Sequence, residues 1–138
     1  MTFVVSTQPV VVDASAAVEY LTDDQEWLLR WASWLATETM LLAPAHFGAE
    51  VANALLRGHG LPPADVNYRL DRLWATGVET ADRGQRGLIA AIDLADRYRL
   101  SVYDAAYLSL ALDVDGELAT LDVALGVAAT AEGVPVTR

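Results

Sequence analysis

Short apolar runs alternate along this chain with longer stretches of helical spacing. Val10, Val11 and Val12 form a run closed by Asp13, which reads as a buried strand over 10–12. A short helix is expected over 15–21, and Asp23 or Asp24 can cap a longer one reaching about Glu38. On that second helix Trp27, Leu28, Trp31, Trp34 and Leu35 share one face. Residues 40–43 read as a strand. Pro44 is then expected to open a helix that runs to about Arg57 and stops at Gly58 and Gly60. Pro62 and Pro63 start another, through Trp74, with Gly77 beyond its end. Residues 78–79 form a short strand. Residues 84–99 predict a strongly amphipathic helix, with Leu88, Ala91, Ile92 and Ala95 on its apolar face. Tyr103, Ala106, Tyr107, Leu110 and Ala111 mark the next helix. Residues 117–120 read as a strand, 122–129 as a helix and 134–136 as a last strand.

Strands this short and apolar, alternating with helices, imply an α/β fold. The expectation is a three-layer α/β/α sandwich around a mostly parallel sheet of four to five short strands, in one domain over residues 1–138. Ligands in such folds sit beyond the carboxyl ends of the strands. Asp13 and Asp122 each directly follow an expected strand, so both belong at that edge.

Composition narrows the chemistry. Hydrophobic residues make up 54% of the chain, ample for a sizeable core. Cysteine is absent, which excludes a disulfide framework, a thiolate zinc site and a thiol nucleophile. The start of the chain does not read as a signal peptide, and no apolar run approaches a membrane span; a cytoplasmic setting is expected. All nine basic residues are arginine. Without lysine there is no P-loop, no Schiff-base chemistry and no kinase-type nucleotide site. A formal net charge of −10 argues against tight non-specific binding of nucleic acid through phosphate contacts alone. It leaves room for an acidic site that meets phosphate through bound cations.

Four carboxylates stand in segments expected to be buried: Asp13, Glu50, Asp104 and Asp122. Three can be read as helix punctuation. Asp13 and Asp122 can cap the helices after them, and Ser101-Val-Tyr-Asp104 matches a capping box. Glu50 has no such role. It sits within the helix expected from Pro44, at the margin of the apolar face of Phe47, Val51, Ala54 and Leu55, with Asn53 beside it. Unpaired buried carboxylates are costly, and a shared pocket filled by Mg2+ or Mn2+ would resolve the cost for all four. His46 and His59 lack the paired spacing of a zinc helix and read as surface or structural residues.

The order V-V-D-A-S, E-V-A-N-A-L, L-S-V-Y-D-A-A-Y-L-S-L-A and L-A-T-L-D-V-A-L resembles the PIN domain family, in particular its VapC-type toxin ribonucleases. The resemblance covers nearly the whole chain, and S-V-Y-D-A-x-Y-L is its most specific part. It implies that Asp13, Glu50, Asp104 and Asp122 form the acidic metal site, with Ser15, Thr120 and Asn53 in supporting positions. It also implies hydrolysis of RNA by a metal-activated water, a homodimer, and inhibition by a small cognate antitoxin within a larger assembly. Leu125 replaces an aromatic residue common in relatives, and Val123 and Ala124 stand where some carry a further acid. One or two bound ions are both compatible with this pattern. Arg57 is a candidate phosphate contact, with a solvated helix-end charge as its alternative reading.

Two other functions compete. A non-catalytic interaction module would use the Trp27, Trp31 and Trp34 face and keep the acids for stability. A metal-dependent phosphatase with an aspartate nucleophile would need D-x-D and a lysine, whereas Ser15 follows Asp13 at that spacing and lysine is absent.

Overall fold

The computed structural model describes residues 8–138. Residues 1–7, on which the signal-peptide reading partly rests, lie outside them. Five strands form one parallel sheet: β1 (Val10–Val12), β2 (Leu41–Pro44), β3 (Glu79–Ala81), β4 (Glu117–Ala119) and β5 (Val136–Thr137). Their order is β3-β2-β1-β4-β5. The chain lays down β1, β2 and β3 outward on one side, then crosses back to place β4 and β5 on the other. The switch falls at β1, the most buried strand, and opens a crevice at the carboxyl ends of β1 and β4.

Helices cover both faces, as expected of a parallel sheet. One group comprises α1 (Ala14–Leu21), α2 (Gln25–Ala36), α3 (Phe47–Asn53) and α4 (Pro63–Ala75), with α1 packed against the other three. The second comprises α5 (Gly84–Tyr98), α6 (Val102–Asp113) and α7 (Val123–Ala131). Here α6 lies on β1, β2 and β4, and α5 and α7 pack against it. Ala105, Tyr107, Leu108, Leu110 and Ala111 are all buried, so α6 is apolar around most of its circumference, as befits a helix enclosed by sheet and neighbours.

Several expectations are corrected. Pro44 ends β2 and does not open a helix. It pairs with Ala81 of β3 at a point beyond the β1–β2 pairs, where its missing N–H breaks no ladder with β1. The helix starts at Phe47 instead, which places Glu50 in its first turn. Its α-helical part ends at Asn53 and continues as a π-helical turn, Ala54–Gly58. In α5 the face against the core is Ala91, Leu94 and Ala95. Leu88, Ile89 and Ile92 are about half exposed, because α5 turns the face of Ala91, Leu94 and Ala95 toward α6. Within α2, Trp27 and Trp31 are buried and Trp34 packs against the core, while Leu35 is exposed. The tryptophan stripe is therefore mostly core.

Candidate active site at the carboxyl edge of the sheet

Asp13 leaves β1 and caps α1. Its Oδ1 accepts from Ser15 Oγ at 2.6 Å and from the Ala16 backbone N–H at 2.9 Å, and its Oδ2 accepts from the Thr120 hydroxyl. A carboxylate offers about four lone-pair positions; these three bonds leave one, on Oδ2, for a further partner. The two hydroxyls that hold Asp13 also bind the loop after β4. Ser15 Oγ accepts from the Leu121 N–H at 2.9 Å, and Thr120 Oγ1 accepts from the Asp122 N–H at 3.0 Å. Strands β1 and β4 are neighbours, so residues far apart in sequence share one small network.

Asp122 caps α7 through a bond from the Leu125 N–H to Oδ1 at 2.9 Å and is otherwise exposed. Asp104 stands in the first turn of α6, whose cap is Ser101. Asp13 and Asp122 thus cap the helices after them, whereas for Asp104 the bond present is the Ser101 half of the capping box, from the Asp104 N–H to Ser101 Oγ at 3.0 Å. The three aspartates share one region, since the Asp122 charge acts on both Asp13 and Asp104. Burial raises the Asp13 pKa above its ordinary value; the bonds from Ser15, Thr120 and Ala16 oppose this, and the Asp122 charge adds to it. Burial likewise raises Asp104, with the Asp122 charge next in importance and Ser101 and His46 pulling the other way. Among the described residues, none of the ion pairs involving arginine includes Asp13, Asp104 or Asp122.

Glu50 approaches from α3. Its Oε1 accepts from the Tyr107 hydroxyl at 2.9 Å and lies 2.8 Å from His46 Nε2. His46, read from its spacing as a surface or structural residue, is partly buried and neighbours a candidate site acid. Burial pushes the Tyr107 hydroxyl far above the ordinary value, and Glu50, Asp13 and Asp104 all push in the same direction. Ser15, Glu50 and Asn53, with Glu19 and Leu121, line a cleft of about 530 Å³. Arg57 is exposed on the π-helical turn and does not line that cleft among the described residues. His59 caps the end of the π-helical turn and is exposed.

Sequence reasoning named neither Tyr107 nor His46 as a neighbour of Glu50. Both left a signal. A buried tyrosine needs a partner for its hydroxyl, and His46 lies four residues before Glu50, the spacing that pairs side chains on a helix.

Among the described residues, no three His, Asp or Glu side chains stand close enough to enclose a metal ion as they are arranged. The donor chemistry nevertheless suits a hard divalent cation: carboxylate oxygens, mutual repulsion, and a partly uncommitted Asp13.

Residues 10–130 match the family model for the PIN domain, and the chain belongs to the PIN domain family. A comparison with curated proteins finds no match. Two solved structures share the fold. PAE2754 from Pyrobaculum aerophilum superposes with a TM-score of 0.72 at 20% identity, over 94% of this chain and 83% of that one. A chain of a toxin–antitoxin complex from Klebsiella pneumoniae gives a TM-score of 0.69 at 17% identity, over 94% of this chain and 96% of that one. No helix among the described residues is long and apolar enough to cross a membrane.

Proposed function

We propose that this protein is a divalent-metal-dependent endoribonuclease, and that it serves as the VapC-type toxin of a toxin–antitoxin pair. The observation that carries the reading is the buried Asp13 at the switch point of the sheet, its pKa raised by burial and by the charge of Asp122, with Asp104 raised by its own burial and then by that same charge. PIN domains are generally nucleases, which supports phosphodiester hydrolysis. The structural likeness to a component of a toxin–antitoxin complex supports the biological role.

In this reading Asp13, Glu50, Asp104 and Asp122 hold Mg2+ or Mn2+. When bound, the ion would activate water for attack on phosphorus and neutralise charge on the phosphate. The protein's own groups arrange the rest. Ser15 and Thr120 direct their hydroxyl protons at Asp13, so they orient that carboxylate and are not free to act as proton donors to substrate. The cleft lined by Ser15, Glu50 and Asn53 is the path proposed for single-stranded RNA. The partners proposed are a second copy of the chain and a small antitoxin that covers the site. The rival interaction module is disfavoured, because Trp27 and Trp31 face the core and are not available as a surface.

The test is expression in a bacterial host. Wild-type protein should arrest growth with fragmentation of RNA, and Glu50→Gln, Asp13→Asn and Asp104→Asn should each relieve the arrest at equal protein level. Arrest that persists in all three variants would move the function away from this site.

A further inference from the structure

We propose that Tyr107 and His46 are positioning residues that fix Glu50 through one carboxylate oxygen, Oε1, so that Oε2 is the oxygen left to a divalent cation. The inference deepens the metal-dependent reading of the site and rests on it.

Glu50 is an unusual choice for a precise ligand. Its side chain is 34% exposed and rotates about three bonds, so an unrestrained carboxylate would be held in place only at an entropic cost. Two polar side chains from separate elements restrain it. The first is the phenol of Tyr107, which is 1% exposed and donates to Oε1 at 2.9 Å. Tyr107 lies one turn after Asp104 on α6, so the helix that carries one acid also holds another acid from α3. The second is His46, which precedes α3 and places Nε2 2.8 Å from the same Oε1.

The tautomer of His46 follows from its other contact. Nε2 also lies 3.2 Å from the Tyr103 carbonyl oxygen, with hydrogen-bonding geometry. A carbonyl can only accept, so Nε2 carries the hydrogen. The imidazole donates to the Tyr103 carbonyl, which sets its position from α6, and the same Nε2 stands in close polar contact with Glu50 Oε1. Its ring packs edge-on against Tyr103 and Tyr107, with centroids 5.4 and 5.3 Å away. Tyr103, Tyr107 and His46 thus form a bracket between α6 and α3, in which the Tyr107 hydroxyl bonds Glu50 Oε1 and His46 Nε2 closes on the same oxygen. Oriented outer partners of this kind govern how well a carboxylate binds metal.

The test uses the full chain and Mn2+ alone, titrated calorimetrically, with thermal melting in EDTA as a control. Tyr107→Phe keeps the ring and removes only the hydroxyl. It should weaken Mn2+ binding by about 10–100-fold and leave the metal-free melting temperature within a few degrees of wild type. His46→Ala should weaken binding as well, and His46→Gln, which retains a side-chain N–H donor, should recover most of the loss. Wild-type Mn2+ affinity in Tyr107→Phe would overturn the inference alone, as would equal losses in His46→Ala and His46→Gln. Absence of Mn2+ binding by the wild-type protein would instead overturn the metal-dependent reading, and this inference with it.

Discussion

Replacing Asp13 by asparagine removes the most deeply buried charge of the site, at 5% exposure. Its pKa lies above 3.8 in the folded protein because burial outweighs the bonds from Ser15, Thr120 and Ala16, and Asp122 adds repulsion. Between the unfolded value and the raised folded value, the native state binds more protons than the unfolded chain. Stability must therefore fall as pH rises through that window. Asparagine does not titrate. Its oxygen can keep the bonds from Ser15 and Ala16, but its amide turns a donor toward the Thr120 hydroxyl. Losing that one bond to a charged acceptor costs about 1.5–3 kcal/mol, and it is opposed by removal of a desolvated charge beside Asp122. Asp13→Asn should thus fold with a stability within about 2 kcal/mol of wild type at neutral pH, while losing RNA cleavage. The assay is urea unfolding in EDTA, followed by tryptophan fluorescence, at several values from about pH 4 to about pH 7. The stability difference should move in favour of Asp13→Asn as pH rises. Movement in favour of the wild type would mean that Asp13 is a well-compensated anion, and the account of a strained acidic pocket would be wrong.

Other substitutions test separate parts of the structure. Thr120→Val keeps the shape but removes the hydroxyl that binds Asp13 and the Asp122 N–H; Mn2+ affinity measured by calorimetry should drop by about 10-fold or more. Gly116→Ala would place a Cβ 2.5 Å from the Pro9 carbonyl oxygen, just before β4. The backbone must shift to admit it, and urea unfolding should show a loss of about 1–3 kcal/mol. Trp31→Ala empties a fully buried position and should cost about 3–5 kcal/mol in the same measurement; a small loss would contradict the assignment of the tryptophan stripe to the core.

Much of the fold was legible because its signals are local. The Val10–Val12 run stops at a charged residue, and the structure ends β1 there. Asp24 and Ser101 cap the helices that their spacing predicted. The failures came where tertiary packing overrode a local preference. Pro44 favours a helix start, yet the sheet claims it as the end of β2. Leu88 and Ile92 are as apolar as a core face requires, yet α5 buries the small Ala91 and Ala95 instead. At the site, the caps Asp13 and Asp122 could be assigned from their position after strands. Their link through Ser15 and Thr120 could not, because it depends on β4 lying beside β1. The bracket around Glu50 was hidden for a similar reason: Tyr107 sits in an apolar helix, and only the packing of α6 beside α3 gives its hydroxyl a partner.

The most direct measurement incubates the purified protein with single-stranded RNA in Mg2+ and in EDTA, and maps the ends of the fragments. The account predicts cleavage by the wild-type protein in Mg2+ alone, giving 5′-phosphate and 3′-hydroxyl ends, and no cleavage by Asp104→Asn. Cleavage that continues in EDTA, or that Asp104→Asn retains in full, would contradict it.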